Sequence, residues 1–257
     1  MSLLWPDTLH VGLFPGTSWL KTGRKKAIQP FVVAVDQDPD ALLRSLEAML
    51  DTMTVKPRKG SRVIVTVSDT VAAITALPWQ PALSRPGEVH SYARICFDKL
   101  GITIDGTWAM HAEFRRYAVM GWAYALPNGW IGGLIALLRE RGLQLRTVLP
   151  ASAKALAYRA AHRQAGKQVI LLQEALRNSA LILGKEGLCG YDAEPVIGSP
   201  QESSVRLLTR ISARHGAIGR LIHWPLDAAQ EKPVQDGETH CLPGATCEAM
   251  AQDIWER

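Results

Sequence analysis

VGLFPGTSWLKTG, residues 11–23, is the stretch whose reading decides the fold. Apolar residues lead into Pro15-Gly16-Thr17-Ser18, and a second short run starts at Trp19. The pattern predicts two antiparallel strands, the first over 9–14 and the second from Trp19, joined by a glycine turn. Such a turn can present the backbone N–H groups of Gly16, Thr17 and Ser18 to a phosphate. Ordinary hairpins use the same residues for geometric reasons, so the hairpin alone does not fix a function.

Working outward, residues 31–35 are rich in β-branched side chains and predict a third strand. Asp38 then stands as N-cap and Pro39 in the first turn of a helix whose Leu42, Leu43, Leu46, Met49 and Leu50 fall at helical spacing. The run RVIVTV, residues 62–67, is apolar apart from Arg62 and Thr66, as expected of a strand buried on both faces. Strands are expected over 71–77, 107–116, 116–125 and 145–148. Helices are expected over 88–100, from an Asn128 cap to Arg141 with Gly142 as its stop, and over 152–164. Beyond Gly166 come three short strands at 169–172, 180–183 and 188–191, a helix over 202–214 and a strand over 220–224. The segment from Asp227 is polar and turn-rich, with one short helix expected over 245–255. Strands alternating with helices make the class α/β, read as two similar lobes meeting near residue 167. The division is 1–166 for a first lobe carrying an inserted subdomain, 167–226 for a partial second lobe, and 227–257 for a polar tail.

The composition narrows the function classes. The chain has 257 residues, 29 Lys and Arg against 24 Asp and Glu, and a net charge of +5. Its basic groups are dispersed in turns: Arg24-Lys25-Lys26, the Lys56, Arg58, Lys59 and Arg62 group, and Arg115-Arg116. None is interleaved with the aromatic residues that single-strand binders stack on, so no nucleic-acid partner is expected. No run approaches the roughly 20 apolar residues of a spanning helix, and the start MSLLWPDTLH lacks the basic region and apolar core of a secretory signal. Four scattered cysteines suit reduced thiols in the cytoplasm. Cys241 and Cys247 beside His240 are spaced too widely for a zinc knuckle, and no metal site is expected. Walker loops, zinc-protease helices, nucleophile elbows and dinucleotide fingerprints are absent from the sequence. The tryptophans sit mostly at strand ends and are read as core.

Several segments in this order carry a resemblance. They are the hairpin with Gly16-Thr17-Ser18; VIVTVSDTVAAITALPW at 63–79; a helix with Glu88, Tyr92-Ala93-Arg94 and Phe97 before Leu100-Gly101; YAVMGWAYALPNGWIGGLIALLRERGLQLRTVLPASAKAL at 117–156; and VILLQEALRNSALIL at 169–183. Together, over about residues 8–225, the chain resembles actin-like folds. More specifically, it resembles the cytoplasmic actin-like proteins of bacterial secretion and pilus platforms. These are the L component of type II secretion (its cytoplasmic domain) and the M component of type IV pilus assembly. The resemblance implies a reduced, two-lobed, actin-like (ribonuclease H-like) α/β fold.

In active actin-like ATPases, an acidic residue two positions before the first hairpin's glycine and another in the second lobe's hairpin organise Mg²⁺ and the attacking water. Here the first position is Phe14, which can do neither job. The second stretch is Gln173-Glu174-Ala175-Leu176-Arg177, without an Asp-x-Gly pattern. Glu174 is a candidate substitute, but Leu176 and Arg177 stand where small residues would admit a phosphate. The expectation is therefore a non-enzymatic scaffold with no catalytic residues and no required cofactor. Gly16, Thr17 and Ser18 form a vestigial loop that could hold ATP without hydrolysis. The resemblance further implies a protein at the cytoplasmic face of the inner membrane, peripheral and without a transmembrane segment. Its partners would be the assembly ATPase or the cytoplasmic tail of a bitopic membrane protein. By geometry, the partner surfaces would be the strand edges near Trp79 and the cleft between lobes. Met1 and the polar tail favour a stand-alone form. The oligomeric state is open, a homodimer included. The contrasting reading is an active or nucleotide-binding actin-like ATPase or kinase.

Overall fold

Thr8–Leu13 (β1) and Thr17–Thr22 (β2) form the expected hairpin, with Leu13 opposite Ser18. The computed structural model of the protein describes residues 7–22, 29–53, 56–83, 85–161, 166–226 and 246–249. Gly16 turns the hairpin at φ +85°, a left-handed conformation open to a residue without Cβ. Gln29–Val32 (β3) adds antiparallel to β2. Pro39–Thr52 (α1) follows, capped by the Asp38 carboxylate, which accepts from Asp40 N–H at 3.0 Å. Its Leu42, Leu46, Met49 and Leu50 are buried, as their spacing requires.

Arg62–Val67 (β4) runs parallel to β1, and Val63, Val65, Thr66 and Val67 are buried. Ala73–Leu77 (β5), Trp108–Glu113 (β6) and Gly121–Pro127 (β7) form a separate antiparallel sheet in the order β5-β7-β6. Pro86–Asp98 (α2) covers it with Ala93, Cys96 and Phe97. Asn128–Glu140 (α3) leads to Gln144–Pro150 (β8), which lies parallel to β4, and then to Ala151–Ala161 (α4). Asn128 is not the cap predicted for α3. Pro127 holds the cap position, and Asn128 Nδ2 instead donates across the loop to Gly106 C=O at 2.9 Å. Gly142 ends the helix at φ +69°, as expected.

Gln168–Gln173 (β9), Arg177–Leu183 (β10) and Leu188–Pro195 (β11) form the predicted meander. Pro200–His215 (α5) leads to Arg220–Pro225 (β12), parallel to β9. Thr246–Ala249 (β13) is a strand, parallel to β12, where a helix was expected. The open edge of β12 supplies ladder partners, and that context outweighs local helix preference. The rest of the expected helix lies outside the described residues, as do Arg24-Lys25-Lys26, His240 and Cys241.

The two large sheets are topological copies. Their orders are β3-β2-β1-β4-β8 and β11-β10-β9-β12-β13. Each begins with two antiparallel pairings and finishes with two parallel ones. Alternation along β9 sorts its side chains between two cores. Val169 and Leu171 pack with Leu207, Leu208 and Ile211 of α5. Ile170 and Leu172 join a larger cluster with Val11, Val65 and Leu134, and with Ala151 and Ala155 of α4. The main core therefore runs unbroken from one large sheet to the other.

Ser199 and Glu202 cap α5 reciprocally: Glu202 N–H donates to Ser199 Oγ at 3.2 Å, and Ser199 N–H to Glu202 Oε2 at 3.3 Å. Replacing Ser199 by alanine is expected to lower stability by about 1 kcal/mol in urea denaturation, while glycine costs only a few tenths.

Candidate functional site

The two hairpin turns that resemble phosphate loops face each other closely. A Cβ built on Gly16 would stand 3.6 Å from the Ala175 Cβ, so the two turns face each other with space for about one methyl group between them. The first turn's donors are also engaged within the chain. Phe14 N–H points to Ser18 Oγ at 3.4 Å, and Gly16 N–H to Ala34 C=O at 3.4 Å. Val33 N–H donates back to Gly16 C=O at 3.0 Å, so the segment after β3 crosses the turn. Phe14, Thr17 and Ser18 are all buried. Phe14, standing where an acidic residue would organise a metal, belongs to the main apolar core.

The second turn closes through Glu174 N–H, which donates to Arg177 C=O at 3.1 Å. Its side chains reach the first sheet. The Glu174 carboxyl is hydrogen-bonded through Oε2 to Ser68 Oγ, and its Oε1 accepts from Asp69 N–H at 3.1 Å. Arg177 Nη1 donates to Asp69 C=O at 3.1 Å. Ser68 and Asp69 come directly after β4, where Ser68 N–H donates to Leu13 C=O at 2.8 Å. Asp69 Oδ1 accepts from both the N–H and the hydroxyl of Ser152, each at 3.0 Å, at the start of α4. Tyr191 OH meets Ser179 Oγ at 3.2 Å on the neighbouring strands.

Burial sets the electrostatics of this cluster. It pushes the Glu174 carboxyl up to about 8, with the adjacent Asp69 charge adding to the rise. The Ser68 hydroxyl, the Asp69 amide and the Arg177 charge oppose the shift without cancelling it. Burial also raises Asp69, against the Ser152 amide and the Arg177 charge. The Tyr191 hydroxyl is raised by burial and then by Asp69. At neutral pH, Glu174 is therefore mostly protonated. A neutral carboxyl is a poor ligand for a hard cation such as Mg²⁺, which takes anionic oxygen. Among the described residues there is no group of three or more His, Cys, Asp or Glu side chains placed to hold a metal ion.

The structure thus brings Gly16 and Glu174, both singled out in the sequence, to one junction. It adds Ser68, Asp69, Ser152 and Tyr191, which the sequence alone does not single out. The available signal was Ser68-Asp69-Thr70 at the carboxyl end of a largely apolar strand, a place where parallel sheets commonly present polar groups. At the third sheet, Trp79 is half-buried rather than core. Its ring meets Phe114 edge-on at 5.1 Å and Tyr117 at 5.2 Å, and Tyr117 is exposed.

Two sheets of identical strand order, a helix at their junction and an inserted three-stranded sheet define the class: this is the actin-like ATPase fold. Solved structures similar to the chain include a Bacteroides thetaiotaomicron protein of unknown function with that fold. It has 9% identity and a TM-score of 0.58, over 86% of this chain and 81% of that one. The PilM–PilN type IV pilus biogenesis complex matches at 12% identity and TM-score 0.58, over 87% and 82%. The cytoplasmic domain of EpsL, an inner-membrane component of the type II secretion system of Vibrio cholerae, matches at 12% and 0.54, over 97% and 92%. No protein-family model matches the chain, and no curated protein matches it in sequence.

Proposed function

We propose that this protein is a non-enzymatic actin-fold scaffold of a type IV pilus or type II secretion platform. It would act at the cytoplasmic face of the inner membrane, on two lobes spanning residues 1–166 and 167–226. The observation that carries the non-enzymatic part is that the polar groups at the two hairpin turns are engaged within the chain. Phosphoryl transfer needs a metal and charged groups positioned around the phosphate. Here the Phe14 and Gly16 N–H groups are engaged, and Glu174 is hydrogen-bonded to Ser68 and Asp69. The platform part is supported by the likeness to the PilM–PilN complex and to the EpsL cytoplasmic domain. Among the described residues no helix is long and apolar enough to cross a membrane.

The partners would be the assembly ATPase or the cytoplasmic tail of a bitopic membrane protein. The aromatic surface of Trp79 and Tyr117 at the edge of the third sheet suits either, because aromatic anchors dominate many interfaces. ATP with Mg²⁺ is expected to leave the melting temperature unchanged and to yield no phosphate. A clear stabilisation with turnover that Glu174→Gln abolishes would establish the enzyme reading instead. In a pull-down against those two partners, Tyr117→Ala is expected to reduce capture while the far-UV spectrum stays intact. Undiminished capture would place the contact elsewhere.

A further inference from the structure

The basic turn that leads into β4 acquires a second basic turn beside it in the fold. Residues 56–62 enter β4, and residues 139–146 carry the end of α3 into β8. Gly60 N–H donates to Gly142 C=O at 2.7 Å, and Gln144 N–H to Ser61 C=O at 3.0 Å, so the two turns are tied backbone to backbone. Arg62 stands opposite Gln144 in the parallel ladder. The register then slips, with Val63 opposite Leu145 and Ile64 opposite Thr147, which leaves Arg146 as an unpaired bulge residue. Lys56, Arg58, Lys59, Arg62, Arg139 and Arg146 are all exposed, and among the described residues none of them makes an ion pair. Arg141, between the turns and α1, is held by Glu47 at 3.0 Å and Asp51 at 3.1 Å. These seven cations stand against the four carboxylates of Asp7, Glu47, Asp51 and Glu140, so +3 of the chain's net +5 is gathered on one face.

We propose that this face docks to the anionic headgroups of a lipid bilayer and holds the chain there by charge alone. The proposal rests on the inner-membrane placement proposed above and names the surface that would meet the membrane. Charge complementarity selects the occupant, since exposed and unpaired Lys and Arg side chains are what an anionic leaflet attracts. Two further observations favour lipid over nucleic acid. Neither turn contains an aromatic residue on which a base could stack. The face is also built from two glycine turns and a helix end, with no helix side or two-stranded ribbon to enter a groove. Leu143 is buried, so no large apolar side chain in the α3–β8 turn stands ready to insert, and the contact is electrostatic. Orientation follows from α3, which starts at the third sheet and ends at this face, about 20 Å further on. The aromatic surface of Trp79 and Tyr117 is therefore left free for its partner.

Co-sedimentation of the full chain with vesicles supplies the test. Binding is expected to vesicles of phosphatidylglycerol and phosphatidylcholine in equal parts, fading as salt rises, and none to phosphatidylcholine alone. Lys59→Gln with Arg146→Gln is expected to weaken binding roughly 30-fold at low salt, with an unchanged melting temperature. Should that pair not fold, Lys56→Gln with Arg58→Gln serves the same purpose. Arg94→Gln with Lys99→Gln removes the same charge from α2 and is expected to change binding less than about twofold. Absence of binding to the anionic vesicles would overturn the inference, as would equal losses from the two pairs of substitutions. Tighter binding to duplex DNA than to the anionic vesicles at equal salt would assign the face to nucleic acid instead. The vesicles carry no protein, so a chain that ignores them yet captures its platform partners overturns this inference alone. Phosphate release from ATP would overturn the scaffold reading and leave the lipid contact untouched.

Discussion

Glu174→Gln is expected to flatten the dependence of stability on pH and to leave the protein more stable than wild type at pH 8. The Glu174 carboxyl titrates near 8 in the folded chain against an ordinary value of 4.5. The folded state therefore holds the proton more tightly than the unfolded state. Its contribution is complete below 4.5 and is lost as pH climbs toward 8, at a slope approaching about 1.4 kcal/mol per pH unit for one proton. Above that range the curve levels. Asp69, raised by the same burial, acts in the same direction, so some slope survives in the variant. Glutamine keeps the shape and cannot ionise. Thermal melts of both proteins between pH 5 and 9 supply the check. Parallel curves would mean that Glu174 is charged in the fold.

The second large effect belongs to Gly12. It faces Trp19 across the first hairpin, and a Cβ built on it would stand 2.1 Å from the Trp19 indole. Trp19 is buried, so its ring has little space into which to retreat. Gly12→Ala is therefore expected to cost about 1–3 kcal/mol, the usual range for forcing extra volume into a packed core. Gly132 provides the contrast. It is exposed on α3 with nothing within 4 Å of a built Cβ. Gly132→Ala is expected to stabilise by roughly 0.5–1 kcal/mol, because alanine holds a helix better than glycine. Urea denaturation separates the two, and equal midpoints for Gly12→Ala and wild type would contradict the packing described.

A sequence carries some of this physics locally and some of it not at all. RVIVTV is legible as a central strand because a strand covered on both faces has no polar side to display. The meander at β9–β11 is legible from short apolar runs and turns. The β13 strand is not, because its ladder partner, β12, lies more than twenty residues away in sequence. The junction at Glu174 escapes for the same reason. Ser68 and Glu174 are 106 positions apart, and Asp69 and Ser152 are 83 apart. Nothing in either neighbourhood signals the other. Phe14 and the missing Asp-x-Gly were readable as departures, but what fills the resulting space was not. Asn128 misleads differently: its side chain finds a distant carbonyl more accessible than the helix end beside it.

The unbroken core between the two large sheets has a mechanical consequence. Val65 on one side and Ile170 and Leu181 on the other belong to one packed cluster, with Ala151 and Ala155 at the seam. Close-packed interiors yield little and pass strain onward. Prising the halves apart would wet that seam, so a tug on either half is passed to the other with little slack. The molecule is built as a coupling rod rather than a pair of jaws.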